Sequence, residues 1–174
     1  MNTGTNTANS AGVGKILLVD DDPNVLSALQ RELRQHFGAD ALQVEAFGNP
    51  FDALNRICVC EFDLVISDFT MPEMSGGDLL RTLKEVAPST VRIMLTASTA
   101  FDTALTAINQ AEVFRFVPKP WESEELAQTV RLALAHRAAL LAAPTPQELE
   151  AQRLEAEEPG ILDVRRDADG AIIL

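Results

Sequence analysis

The sequence predicts an α/β fold, a doubly wound five-stranded parallel sheet of (βα)5 type, followed by a short helix and hairpin tail. Two patterns predict it. Five apolar runs of strand length are continuous rather than alternating, as strands covered on both faces are. Segments of helical periodicity lie between and after them, and alternating strands and helices imply a parallel sheet.

The first run, Ile16–Val19, leads into Asp20-Asp21-Asp22-Pro23. Asp22 stands before proline and is expected to cap the first helix with Pro23 at its first position. Val25, Leu26, Leu29 and Leu33 form that helix's apolar stripe. The second run is Val44–Phe47, followed by a helix with Phe51, Leu54, Ile57 and Cys58 on one face. The third is Leu64–Ser67, with Leu79, Leu80 and Leu83 in the helix after it. Val91–Leu95 and Phe114–Val117 complete the strands, with Leu105 and Ile108 marking a helix between them. A last helix from about Glu122 carries Leu126, Val130, Leu134 and Leu141 and stops at Pro144.

Residues 15–143 therefore form the sheet domain. Residues 1–14, rich in Gly, Ser, Thr and Asn, are expected to be disordered and lack the basic start and apolar middle of a signal peptide. Residues 144–174 form an extension. Thr145-Pro146-Gln147-Glu148 has the spacing of a capping box. A hairpin is expected around Asp167-Ala168-Asp169-Gly170, and it must pack on something because a lone hairpin is marginal.

With 47% hydrophobic and 23% charged residues, the 174-residue chain has the composition of a soluble globular protein, and cytoplasm is the expected location. A net charge of −12 argues against a nucleic-acid partner, since phosphate backbones are bound by clustered Lys and Arg. No apolar run approaches the ~18 residues of a membrane span. Cys58 and Cys60 are too few for a zinc site or a disulfide framework and are expected to be ordinary reduced residues.

Ligands of open α/β sheets bind beyond the carboxyl ends of the strands. Those ends carry Asp20-Asp21-Asp22, Ser67-Asp68, Thr96 and Pro118-Lys119-Pro120, whereas the second ends in Phe47-Gly48-Asn49 with nothing ionisable. One bare end places the second strand at an edge, in the order 2-1-3-4-5, so that Asp20, Asp21 and Asp68 converge. Clustered carboxylates need a cation, and a few acidic ligands with water and phosphate completing the shell suit Mg2+. Lys119 adds a point charge and Thr96 a neutral donor, which together make a phosphoryl-transfer constellation.

These residues carry a family resemblance. VDDDP (19–23), DLVISDFTMPEMSG (63–76), IMLTAS (93–98) and FRFVPKPW (114–121) match, in order, the four motifs of the receiver domain of two-component response regulators, whose fold is flavodoxin-like. The resemblance implies that Asp68 takes a phosphoryl group from the phosphohistidine of a sensor histidine kinase. It implies Mg2+ on Asp20, Asp21, Asp68 and the backbone carbonyl of Thr70, with Lys119 pairing the phosphoryl group. It makes Thr96 and Phe116 switch residues, with simple core packing as the alternative for Phe116. It assigns the tuning of dephosphorylation to Thr70 and Ser98, and a cis bond is common between the positions of Lys119 and Pro120.

Gly14-Lys15 and the Asp20-Asp22-Asn24 spacing fail as a phosphate-binding loop and a calcium loop, because the flanking residues are wrong. His36 and His136 are expected to be ordinary helix residues, and Trp121 a packing anchor under the last helix. About 30 residues follow the sheet domain, too few for a DNA-binding module, so output by contact with a downstream protein is expected, and the tail could form a homodimer. Two other functions compete. A phosphatase of the haloacid-dehalogenase type would use Asp20, Asp22, Thr96 and Lys119 but leaves Asp68 unexplained. A receiver-like adaptor that is never phosphorylated would need none of this chemistry.

Overall fold

The computed structural model describes residues 13–97 and 111–157. The expected disordered start up to residue 12, Ser98, the helix with Leu105 and Ile108, and the tail hairpin lie outside the described residues. The chain divides into two compact units, Met1–Leu140 and Leu141–Leu174.

In the first unit, strands β1 (Gly14–Val19), β2 (Leu42–Phe47), β3 (Leu64–Asp68), β4 (Val91–Ala97) and β5 (Arg115–Lys119) form one sheet in the order β2-β1-β3-β4-β5. Every pairing is parallel, with Val19 opposite Ser67, Asp68 opposite Leu95 and Ala97 opposite Lys119. The second strand is an edge strand, as the absence of ionisable residues at its carboxyl end predicts. β1 starts at Gly14, inside the segment expected to be disordered, because that backbone donates to the Ala41 carbonyl at 3.3 Å.

Helices α1 (Pro23–Phe37), α2 (Pro50–Ile57), α3 (Gly76–Val86) and α4 (Ser123–Ala142) flank the sheet. Alternate strand residues point to opposite faces. On one face Ile16, Leu18, Leu64, Ile66, Ile93 and Leu95 pack with Leu29 and Leu33 of α1 and Leu126, Val130 and Ala133 of α4. On the other, Leu17, Val19, Val65 and Met94 pack with Ala53 and Ile57 of α2 and Leu79, Leu80 and Leu83 of α3. Trp121 packs against the first of these layers.

Local chemistry sets the helix ends. The Asp22 side chain accepts from the Asn24 backbone N–H at 2.8 Å, with Pro23 opening α1. Asn49 does the same for α2, accepting from the Phe51 N–H at 2.8 Å. Gly38 closes α1 at φ 82°, a left-handed value that glycine takes without strain, and donates to the Arg34 carbonyl at 3.0 Å. His36 is more than an ordinary helix residue: its Nε2 lies 2.8 Å from the Ser123 hydroxyl, which also donates to Glu32, so α1 is fastened to the start of α4. His136 stacks on Phe114 at 5.1 Å.

Two apolar stripes differ from expectation. On α2 the buried face is Pro50, Ala53 and Ile57, while Phe51 is 45% exposed and Cys58 is exposed. The small Ala53 lets the helix sit close to Leu17 and Val19, and this turns Phe51 outward. On α4, Leu141 is exposed and takes no part in the buried stripe. The second unit contains helix α5 (Pro146–Glu157), opened by a reciprocal cap. Glu148 N–H donates to the Thr145 hydroxyl at 3.2 Å, and Thr145 N–H donates to the Glu148 carboxylate at 2.7 Å.

Candidate functional site

Parallel pairing brings the ends of β1, β3 and β5 to one edge of the sheet. Asp20 follows directly on β1, its backbone N–H donating to the Phe47 carbonyl at 3.2 Å, and its side chain is 1% exposed. Asp68 ends β3 and is 6% exposed. Asp21 is exposed, yet one carboxylate oxygen from each of Asp20, Asp21 and Asp68 lies within 4.8 Å of the others. Lys119, the last residue of β5, spans two of them, with Nζ 2.6 Å from Asp20 Oδ2 and 2.8 Å from Asp68 Oδ1. The bond from Lys119 to Pro120 is cis, as the resemblance implies.

Backbone donors hold the carboxylates in place. Asp22 N–H donates to Asp20 Oδ1 at 2.9 Å, and Thr70 N–H donates to Asp68 Oδ2 at 3.1 Å. The loop after Asp68 turns back through Met74 N–H to the Pro72 carbonyl at 2.8 Å around Glu73, whose φ is 70°. A non-glycine residue there is strained, which is common at functional sites. Gly76 N–H then donates to the Phe69 carbonyl at 2.9 Å, and α3 begins hard against β3. A β-carbon on Gly76 would lie 1.9 Å from the Asp68 carbonyl oxygen, so only glycine fits.

Burial raises the pKa of Asp20, outweighing the lowering effect of the Lys119 hydrogen bond, and the Asp68 charge pushes the same way as burial. Burial also opposes the Lys119 ammonium, but its hydrogen bonds to Asp20 and Asp68 prevail and hold its pKa above the ordinary value. Three carboxylates thus face one ammonium. All-oxygen donors so grouped fit a hard divalent cation of the Mg2+ kind.

Not every predicted residue joins this cluster. Thr96 is 3% exposed, and its hydroxyl donates to the Ala97 carbonyl at 3.0 Å, within its own strand end. Phe116 is half-buried and packs against the layer of Leu17, Val65 and Met94. Thr70 contributes its N–H to Asp68, and Ser98 lies outside the described residues. Asp22, which a dehalogenase-type phosphatase would need beside Asp20, is exposed and caps α1. Gly76 was not anticipated as a site residue. Its signal was Ser75-Gly76-Gly77, a cap followed by two glycines where a helix should start, directly after the Asp68 loop.

Fold and acid site together define the class: a flavodoxin-like receiver module with its acids at the carboxyl edge of a 2-1-3-4-5 sheet. The model of the response regulator receiver domain matches residues 16–131, and the chain belongs to that family. It is 30% identical over 121 residues to the hydrogenase transcriptional regulatory protein HoxA of Bradyrhizobium diazoefficiens, a match covering 70% of this chain and 24% of that protein. It is 37% identical over 123 residues to the transcriptional regulatory protein GlrR of Escherichia coli K12, covering 71% and 27%. The chain thus spans about a quarter of the length of these relatives. Among solved structures, the signal receiver domain of an HD domain-containing protein from Pseudomonas fluorescens Pf-5 matches with a TM-score of 0.68 at 34% identity, over 74% of this chain and 99% of that one.

Proposed function

We propose that this receiver accepts a phosphoryl group on Asp68 from the phosphohistidine of a sensor histidine kinase. The observation that carries this is the Lys119 ammonium lying between Asp20 and Asp68, with Asp21 beside them. An oxygen of Asp68 attacks phosphorus, the P–N bond to the imidazole breaks, and the imidazole leaves with the electron pair. The product is an acyl phosphate. Asp20, Asp21, Asp68 and the Thr70 carbonyl would hold Mg2+, which when bound supplies positive charge against the phosphoryl oxygens. Lys119 offsets charge on the phosphoryl group from the other side.

Thr96 and Phe116 are the proposed switch. The Thr96 hydroxyl exchanges the neutral Ala97 carbonyl for a phosphoryl oxygen, a stronger acceptor, and Phe116 changes rotamer. The altered surface then engages a downstream protein. The receiver is assigned to residues 15–143 and the extension to 144–174.

Reduction of the phosphorylated protein with borohydride converts an acyl phosphate into an alcohol, and the peptide between Arg56 and Arg81 should carry that change at Asp68. A modified peptide from elsewhere in the chain would refute Asp68. Thr70 and Ser98 offer no carboxylate or amide to orient an attacking water, so the phosphoryl group should be lost slowly. Introducing Asn and Glu at these positions should speed loss, and unchanged decay would contradict their assigned part.

A further inference from the structure

The amino end of the sheet presents a cleft of about 460 Å³. Ile57 at the end of α2, with Val86 and Pro88 at the end of α3 and just beyond it, give the cleft apolar walls. Val59, next in sequence to the lining residue Cys58, is 77% exposed, and Val86 is 52% exposed. Apolar side chains are thus left in water at this end.

The free charge here is negative. Glu61 lines the cleft and Glu85 precedes Val86; both are exposed, and neither has an ion-pair partner among the described residues. The neighbouring cations are already engaged. Arg137 meets Asp63 at 3.4 Å, Lys84 meets Glu112 at 2.6 Å and Arg56 meets Glu45 at 2.7 Å. Arg92 donates to the carbonyls of Ala111 and Thr90, and Lys15 Nζ lies 3.8 Å from Cys60 Sγ. Helices α2 and α3 both end on the cleft, and the C-terminus of a helix carries negative partial charge. Pro88 has no N–H to return to the Lys84 carbonyl, so that acceptor lacks its usual helical partner.

We propose that this end docks a basic amphipathic segment of a partner protein. Apolar side chains of the segment lie against Ile57, Val86 and Pro88, and its lysine or arginine heads meet Glu61, Glu85 and the end of α3. Charge complementarity selects this occupant. An acidic segment would meet two unpaired carboxylates, and a second copy of this chain, at net charge −12, brings the same sign. The proposal does not rest on phosphorylation of Asp68, which stands at the opposite end of the sheet.

The test is an amide-shift titration of the isotope-labelled full chain with a short helical peptide of lysine and leucine. Its glutamate–leucine and lysine–serine counterparts are the controls. The lysine–leucine peptide should shift the Cys58, Val59, Glu61 and Val86 amides saturably, and its affinity should fall as salt rises. Glu61→Lys with Glu85→Lys should weaken binding about tenfold, since each reversal replaces an attraction with a repulsion. Val86→Ser should weaken it about threefold to tenfold through lost apolar contact. All three positions are exposed, so these variants should fold. Shifts centred on Asp20 and Asp21, equal binding of either control, or unchanged affinity in the charge-reversed variant would overturn the proposal. Shifts at these amides that grow with protein concentration alone would also overturn it, by assigning the cleft to a second copy.

Discussion

The two ends of this sheet bury charge in opposite ways. At the carboxyl end three carboxylates share one ammonium, Lys119, in direct hydrogen-bonded contact with two of them. At the amino end two guanidiniums, Arg92 and Arg137, are satisfied mostly by backbone carbonyls, with Glu112 3.8 Å from Arg92 and a divided carboxylate, Asp63, beside Arg137. Burying a charge is costly unless it is paired. The chain therefore neutralises buried charge side chain to side chain where strands end and largely side chain to backbone where they begin. The lesson is that clustered carboxylates at one end depend on a shared side-chain ammonium, whereas the guanidiniums at the other depend mainly on backbone carbonyls.

The largest effect should come from removing the cation that the acid end shares. Lys119→Met should slow phosphorylation by about 100- to 1,000-fold, the usual effect of deleting one preorganised charge-stabilising group. A time course of intact mass with a small phosphodonor measures it, and circular dichroism should show the fold intact. Phosphorylation at the native rate would mean that Lys119 only balances charge and takes no part in the chemistry.

Gly76→Ala should come next. Its new β-carbon meets the backbone of Asp68 rather than a flexible side chain, so strand or helix must move. Overpacking of this kind costs about 1–3 kcal/mol, read by chemical denaturation, and it should also slow phosphorylation by displacing Asp68. A loss of stability with full phosphorylation would show that the loop yields without moving the acceptor.

The smallest effect sharpens the comparison with a charge pair outside both ends. Glu45 on the edge strand pairs with Arg56 of α2 through two hydrogen bonds of 2.7 and 2.8 Å. The Arg56 hydrogen bond holds the Glu45 carboxyl below the usual carboxylate range. A depressed acid contributes stability above its unfolded pKa and loses it as pH falls through the folded value. Glu45→Gln should therefore be slightly less stable than the native protein at neutral pH, with the difference vanishing in acid. A difference that persists in acid would show that the pair acts through packing instead.

Much of the carboxyl end was legible in the sequence because its information is local. A strand end followed by Asp22-Pro23 carries its cap and its acids together, and the bare end after Phe47 placed β2 at the edge. The amino end was opaque. Asp63 and Arg137 are 74 residues apart, and no spacing rule joins them. Phase on the eight-residue α2 was also unreadable, since Phe51 and Ala53 both begin acceptable stripes and only the close seat of Ala53 on β1 chooses. The 1.9 Å approach behind Gly76 exists only once α3 is docked on β3.

The most direct test of the central claim is intact mass after incubation with a small phosphodonor, with and without Mg2+, for the native protein and Asp68→Asn. A single Mg2+-dependent phosphoryl adduct on the native protein, absent from the variant, is the predicted result. An adduct that survives Asp68→Asn, or none under any condition, would contradict it and leave a receiver that works without phosphorylation at Asp68.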